Sequence, residues 1–170
     1  MRKLTHEELL ARQEKCDKIQ LPFSVILNDI RSAHNVGSIF RTADGLGIEK
    51  IYLCGITAYP PNPQITKTAL DAQHHVPWEY CRDAAAAAVE LKNRGYHLTL
   101  LEQTDQSVFP QDFKLKKPLC LIVGNEIDGV SQSLVDVCDS AIEIEMTGVK
   151  NSLNVSVAFG IAACRLREKF

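Results

Sequence analysis

Five short apolar segments, each of strand length, are the feature of this sequence that most constrains its fold. They are residues 23–27, 51–54, 96–101, 119–123 and 141–144. Continuous apolar runs of this length are typical of strands that are buried on both faces. The intervening segments are long enough to cross from one parallel strand to the next. The pattern therefore predicts an α/β fold, a mainly parallel sheet flanked by helices.

The segments between the strands carry helix signals. After the first strand, apolar or small residues recur at helical spacing up to Gly45 and Gly47, which predict the end of that helix. Asp83 is the predicted cap of an alanine-rich helix that ends near Gly95. A last helix, largely apolar, is predicted from Leu153 onward.

Two segments lie outside this alternation. Thr5 followed by Glu8 resembles a capping box, which predicts a short polar helix. Residues 57–78 are rich in proline and polar groups and long for a simple connection, so we expect a binding loop there. A chain of 170 residues suits one domain, and we assign 1–20 to a helical extension and 21–170 to the domain.

Charge and composition narrow the function classes. With 19 Lys+Arg against 21 Asp+Glu, the net charge is -2, so any nucleic-acid binding must depend on a local basic patch. The six cysteines are scattered without a CxxC pair, which argues against a zinc site and favours small core residues in a reducing compartment. No signal peptide and no apolar run of about 18 residues is present, so we expect a cytoplasmic protein without membrane contact.

Three polar, glycine-containing segments follow predicted strands. They are NDIRSAHNVGSIFRTADGLG (28–47), GNEIDG (124–129) and EMTGVKNSLN (145–154). Because ligands of open α/β sheets bind beyond the carboxyl ends of the strands, we expect these segments to form one site. There is no GxGxxG after the first strand and no phosphate loop with GK[ST], which disfavours the usual nucleotide-binding folds.

In content, order and separation, these segments resemble the three motifs of the SpoU (TrmH-like) family of RNA 2′-O-ribose methyltransferases, in the SPOUT superfamily. The matching stretches are NVGSIFRTADGLG, IVGNEIDGV and IEIEMTGVKNSLNVSVA, and the resemblance covers roughly residues 23–168. It implies a C-terminal deep trefoil knot, which is rare among chain topologies. It also implies a homodimer that transfers methyl from S-adenosylmethionine to a ribose 2′-hydroxyl in tRNA or rRNA, with tRNA preferred because compact relatives often modify it.

The resemblance also assigns the cofactor site. Gly124 would let the backbone approach S-adenosylmethionine, while Ile144, Met146 and the main chain at Leu153 would hold its adenine end. No metal is implied, because the sulfonium already makes the methyl group electrophilic. Glu126 is a candidate catalytic residue or a purely structural one, and both readings stay open.

Four residues match the reactive cluster of the family: Asn35, Arg41, Ser152 and Asn154. Judged by residue type alone, Asn35 and Ser152 also fit helix N-caps. Asn154 is expected inside the first turn of an apolar helix, where an asparagine side chain competes with the backbone for hydrogen bonds. That placement favours a functional role for Asn154.

Arg41 matches the arginine to which the family assigns a part in activating the hydroxyl. A guanidinium is a reluctant base at neutral pH, whereas its planar fork binds phosphate well, so a phosphate clamp is favoured and a base stays open. Arg31 and Lys67 are predicted to contact RNA phosphates. His34 is expected to be a loop residue or an RNA contact rather than a general base.

One departure and one rival hypothesis follow. Glu145 stands where the family commonly has proline before Met146, which changes local charge or loop stiffness and removes no proposed reactive group. The acidic balance and the short N-terminal extension motivate the rival, a knotted protein that binds RNA or S-adenosylmethionine without appreciable turnover. The intact reactive cluster favours the enzyme.

Overall fold

The computed structural model describes residues 1–15, 19–125, 127 and 129–170. The strands are β1 Leu21–Asn28, β2 Ile48–Cys54, β3 Trp78–Cys81, β4 His97–Leu101, β5 Leu119–Val123 and β6 Ser140–Ile142. The helices are α1 His6–Glu14, α2 Ala33–Leu46, α3 Pro63–Ala69, α4 Ala84–Asn93, α5 Gln132–Val135 and α6 Val155–Arg167, with a 3-10 turn at Ala72–His74.

The strands of these described residues form a single parallel sheet in the order β3-β2-β1-β5-β4-β6. The predicted α/β fold is therefore confirmed, whereas the knot stays a prediction. Because every neighbouring pair is parallel, the carboxyl ends of the strands meet at one edge of the sheet. The loops that carry the three sequence motifs begin at that edge.

Successive side chains along the strands pack into two apolar cores, one on each face of the sheet. Val25 and Leu27 belong to the core that β1 shares with α2 and α6, where Phe40 and Phe159 are fully buried. Ile26 points to the opposite core, beneath the alanine-rich helix α4. Strands buried on both faces explain why the sequence shows continuous apolar runs rather than alternation.

The prediction of a loop across residues 57–78 is wrong in part, because this segment contains α3 and the 3-10 turn. Asn62 caps α3 by accepting a hydrogen bond from Gln64 N at 2.9 Å, and Pro63 occupies the first turn. The helix has only seven residues, of which Ile65 and Ala69 are buried. A helix of two turns is too short to show helical periodicity in a sequence.

Strand β3 was missed for a related reason. It has four residues, lies at the edge of the sheet and has a largely exposed outer surface, so it shows no apolar run. By contrast, the N-terminal capping box is confirmed: Glu8 N donates to Thr5 Oγ1 and Thr5 N donates to Glu8 Oε2. Hydrogen bonds from Arg2 and from the Thr5 backbone lower the pKa of Glu8 to about 2.

The cysteines are mostly core residues, as expected. Cys54 and Cys120 are buried, and burial raises the pKa of both thiols, while Cys81 and Cys138 are half-buried. Cys164 is the exception, since it is exposed on α6; Cys16 lies outside the described residues. In the part of the chain that the structure covers, no helix has the length and apolar character needed to span a membrane.

The close packing of α2 on α3 depends on Gly37, and this can be tested within one helix. A Cβ at Gly37 would overlap Thr68 Oγ1 and the Ile65 carbonyl oxygen, whereas a Cβ at Gly45 would meet nothing within 4 Å. We expect Gly37→Ala to lower the free energy of unfolding by about 1–3 kcal/mol. Gly45→Ala should raise it by up to about 1 kcal/mol through helix propensity.

Urea denaturation of the two variants measures both effects. Equal changes in the unfolding free energy of the two variants would contradict close packing at Gly37.

Candidate active site

A cavity of about 520 Å³ lies at the carboxyl ends of β4 and β5. Its walls come from those strand ends, the loop after β5, the segment after β6 and the start of α6. The lining residues are Leu101, Glu102, Gln103, Val123, Gly124, Asn125, Ile127, Gly129, Val130, Glu143, Ile144, Met146, Asn151, Ser152, Leu153, Val155 and Ala158. Its volume falls within the range of about 300–1,000 Å³ that is usual for small-molecule sites.

The lining combines apolar surface with two carboxylates. Leu101, Val123 and Val155 supply apolar wall at the ends of their elements. Glu102 accepts a hydrogen bond from Gln103 N at 2.9 Å, and Glu143 accepts one from Ser107 Oγ at 2.8 Å. These bonds leave acceptor capacity on both carboxylates, so the cavity suits a ligand that has an apolar ring and a cationic group.

The four predicted cofactor residues, Gly124, Ile144, Met146 and Leu153, all line this cavity. They come from loops that are separated in sequence and that the sheet brings together. Their role in binding stays a prediction. The candidate catalytic residue Ser152 lies in the same wall and is exposed.

Close packing in the loop after β5 explains why residue 124 is glycine. An added Cβ would lie 2.5 Å from Val130 Cγ2 and 2.8 Å from the Gly129 carbonyl carbon. The loop after β5 closes on itself at this point, with mutual backbone hydrogen bonds of 3.1 Å between Asn125 and Gly129. Glycine is therefore required for the loop to close, whether or not a cofactor also approaches it.

Gln103 is one of the cavity residues that sequence reasoning missed. Its Nε2 donates to the Asn151 carbonyl oxygen at 2.6 Å, which ties the end of β4 to the third motif segment. The polar pair Glu102–Gln103 directly follows an apolar run, so the strand-end rule that selected the three motifs would also have selected this pair.

Asn35 and Asn154 meet although they lie 119 residues apart in the chain: Asn154 Nδ2 donates to Asn35 Oδ1 at 3.2 Å. This contact joins the start of α2 to the start of α6. Leu153 and Val155, which flank Asn154, both line the cavity. The asparagine pair therefore lies next to the cavity wall.

The two predicted helix caps are wrong. Ser32, rather than Asn35, caps α2 by accepting from Asn35 N, and Asn35 lies in the first turn. Asn154, rather than Ser152, caps α6 by accepting from Ser156 N at 3.0 Å. The expectation that Asn154 lies inside the helix is wrong for the same reason, because α6 begins at Val155 and not at Leu153.

Arg41 stands apart from the asparagine pair. It is exposed on α2 and does not line the cavity. Six positions along a helix turn a side chain about 120° away from that of Asn35. Within the described part of the chain, the Arg41 guanidinium makes no hydrogen bond or ion pair, so it is available to a ligand at the surface.

The remaining candidates are at the surface or outside the description. Arg31 is exposed in the loop between β1 and α2, and Lys67 is exposed on α3. Thr68 Oγ1 donates to the His34 carbonyl oxygen at 2.9 Å, which holds α3 beside the start of α2. Glu126, a candidate catalytic residue, lies outside the described residues.

Comparison with known proteins identifies the family of the chain. The model of the SpoU rRNA methylase family matches residues 22–164, which contain all three motif segments and both members of the asparagine pair. The chain belongs to the SpoU rRNA methylase family. Its cavity and its asparagine pair are thus features of a SpoU protein.

Two relatives in sequence extend this result. A tRNA (guanosine(18)-2′-O)-methyltransferase of Aquifex aeolicus is 34% identical over 176 residues, covering 99% of this chain and 82% of the relative. A Staphylococcus haemolyticus protein named for the TrmH family of tRNA/rRNA methyltransferases is 35% identical over 157 residues. That alignment covers 92% of this chain but only 63% of the staphylococcal protein.

Solved structures show the same fold. The Aquifex aeolicus TrmH/SpoU tRNA modifying enzyme superposes with a TM-score of 0.81 at 30% identity, covering 96% of this chain and 83% of that one. The SpoU methyltransferase AviRb from Streptomyces viridochromogenes, solved in complex with AdoMet, has a TM-score of 0.80 at 23% identity, covering 89% and 62%. The second likeness is one of fold alone.

The double role of Asn154 predicts two different stability effects. Asn154→Asp keeps an oxygen that can cap α6 and removes the donor to Asn35, so its unfolding free energy should stay near that of the wild type. Asn154→Ala removes the cap as well and should lose about 1 kcal/mol.

Chemical denaturation measures both variants, and Ser152→Ala serves as the control, because that serine does not cap α6. If Asn154→Asp loses as much stability as Asn154→Ala, the contact with Asn35, and not the cap, holds the start of α6.

Proposed function

We propose that this protein methylates a ribose 2′-hydroxyl of structured RNA with S-adenosylmethionine as donor. The observation that carries the proposal is the asparagine pair Asn35–Asn154 beside the cavity that contains all four predicted cofactor residues. The arrangement places polar amide groups from α2 and α6 next to a pocket of cofactor size. The names of the relatives from Aquifex and Staphylococcus support the same reaction class.

The volume and the lining of the cavity suit S-adenosylmethionine. Apolar side chains such as Ile144 and Met146 suit an adenine ring, and the carboxylates of Glu102 and Glu143 suit the cationic sulfonium and ammonium groups. When bound, the cofactor supplies an electrophilic methyl group that needs no metal activation. Gln103 would keep the third motif segment closed over it through the bond to Asn151.

The chain's own residues would orient the acceptor. A ribose can accept and donate hydrogen bonds with the amides of Asn35 and Asn154 and with the hydroxyl of Ser152. These bonds would point its 2′-oxygen toward a methyl donor in the cavity. Arg41, exposed and unpaired in the described region, is placed to bind an RNA phosphate with its planar fork. In this assignment Arg41 is a clamp and not a base, because a guanidinium stays protonated at neutral pH.

For the RNA class, we favour tRNA over rRNA. The Aquifex relative, whose name specifies a guanosine of tRNA, is matched over 99% of this chain. The staphylococcal relative is named for both RNA classes, so rRNA is the second candidate. We infer a cytoplasmic location from these bacterial relatives, because bacterial tRNA and rRNA are modified in the cytoplasm.

We also propose a homodimer that is formed through α6. Val157, Ile161 and Cys164 follow one another at helical spacing on this helix and are exposed, with 49% and 41% exposure for the first two. A second copy of the chain would cover this apolar face.

Ile161→Glu should shift the sedimentation coefficient to that of a monomer, because a charge in the apolar face opposes its burial. Unchanged sedimentation of the variant would rule out this interface.

The reaction is tested by transfer of labelled methyl to fractionated cellular RNA. We expect label in one pool, tRNA or rRNA, and a loss of about 100-fold or more in kcat/KM for Asn154→Asp, as for groups that position reactants. Arg41→Ala should act mainly by raising KM, and Arg41→Lys should recover only part of the loss, because lysine lacks the planar fork.

Arg94→Ala is the matched control. Arg94 lies just before β4 begins, at the amino ends of the strands and away from the cavity. Label in neither pool from a protein that binds S-adenosylmethionine would refute the enzyme and support a binding protein without turnover. Label that survives Asn154→Asp and Arg41→Ala would refute the assigned roles.

A further inference from the structure

Three aromatic side chains form an exposed row beside β3, the outermost strand on one side of the sheet. Tyr59, in the loop after β2, lies 6.3 Å from Trp78 and 4.8 Å from Tyr80 between ring centroids. Tyr59 is 48% exposed and Tyr80 is 42% exposed, and Trp78 is half-buried against the core beneath it. We call these three residues the aromatic row.

Hydrogen bonds connect the aromatic row to the motif loops. Tyr80 Oη donates to the Gly55 carbonyl oxygen at 3.0 Å, and the neighbouring Ile56 N donates to Asp29 Oδ1 at 2.9 Å. Asn125 Nδ2 in turn donates to the Asp29 carbonyl oxygen at 2.8 Å. Tyr80, near the carboxyl end of β3, is thus linked to the loops that leave the carboxyl ends of β1 and β5. With β2 between β1 and β3, it lies about 10 Å from the end of β1, judging from strand spacing.

We propose that an unpaired base of the RNA substrate stacks on the aromatic row while the target ribose occupies the active site. This inference rests on the proposed function, which it deepens by naming a second contact region for the RNA. Exposed aromatic rings stack on unpaired bases of any identity, whereas bases inside a duplex are not available to them. The row would therefore favour substrates in which the target nucleotide lies in or beside a loop.

The charges of the neighbouring segments suit a polyanion such as a nucleic acid. Arg82 directly follows β3 and Lys67 lies on α3, and neither makes an ion pair within the described residues. The Glu79 carboxylate is already paired with Lys50 at 2.7 Å, and Asp83 is engaged in capping α4. Two cations are thus available for phosphates, while the nearest carboxylates on β3 and after it are occupied.

Fluorescence tests the contact directly, because Trp78 is the only tryptophan of the 170-residue chain. A short single-stranded oligoadenylate should quench Trp78 emission, and the same strand paired with oligouridylate should quench it much less. Tyr59→Ala and Tyr80→Ala should each weaken the quenching titration by about fivefold or more, the range that corresponds to loss of one stacked base. Tyr59→Phe keeps the ring and the Tyr80 hydrogen bond to Gly55, so it should titrate like the wild type.

Kinetics on the methylated RNA separate this inference from the proposed function. Tyr59→Ala and Tyr80→Ala should raise KM by about fivefold or more and leave kcat within about twofold, since the ring contacts bind RNA away from the reacting atoms. Val89→Ala, which shortens an exposed apolar side chain on α4, is the control for loss of exposed apolar surface.

The two ideas fail in different ways. Methylation with unchanged KM in both tyrosine variants, together with no quenching by single strands, would overturn the stacking surface and leave the enzyme intact; the row would then suit a protein partner. Ring-dependent quenching without methylation of any RNA would refute the proposed reaction while supporting the stacking surface.

Discussion

The parallel pairing of β1 with β5 is the constraint on which the rest of the structure depends. Residues from Phe23↔Leu119 to Leu27↔Val123 lie in register at the centre of the sheet, and all of them are buried. Because β1 and β5 run in the same direction, the first motif loop and the second motif loop leave the sheet side by side. A single antiparallel strand at this position would send one of these loops to the opposite edge.

Side-chain hydrogen bonds then fix the loops relative to one another. Asn125 joins the second motif loop to Asp29 in the first, and Gln103 joins the end of β4 to Asn151 in the third. The bond from Asn154 to Asn35 closes the arrangement between α6 and α2. Each of these bonds uses an amide side chain whose partner is distant in sequence. Amides suit this task because they donate and accept without adding charge beside a charged ligand.

The charge distribution also reconciles a net charge of -2 with the proposed RNA substrate. The carboxylates of Glu102 and Glu143 line the cavity, where a cationic cofactor would meet them. The surface cations Arg41, Lys67 and Arg82 lie outside that cavity. Under the proposed function, this separation of the two signs of charge would let the cavity receive a cation while the surface receives a polyanion. Net charge alone would have hidden this arrangement.

The sequence by itself determined the parallel α/β class and the positions of five strands, since long buried strands leave a local signal. The four cofactor candidates came from the resemblance of the strand-end motifs to the SpoU family. Only the tertiary structure decided the rest. The short elements α3 and β3 are too brief for periodicity. The caps of α2 and α6 lie three and two residues away from the positions that residue type suggested, because helix starts are poorly defined by local sequence. The meeting of Asn35 with Asn154, the bond from Gln103 to Asn151 and the aromatic row all join distant segments. Such contacts are set by packing across the sheet, which no local pattern of residues records.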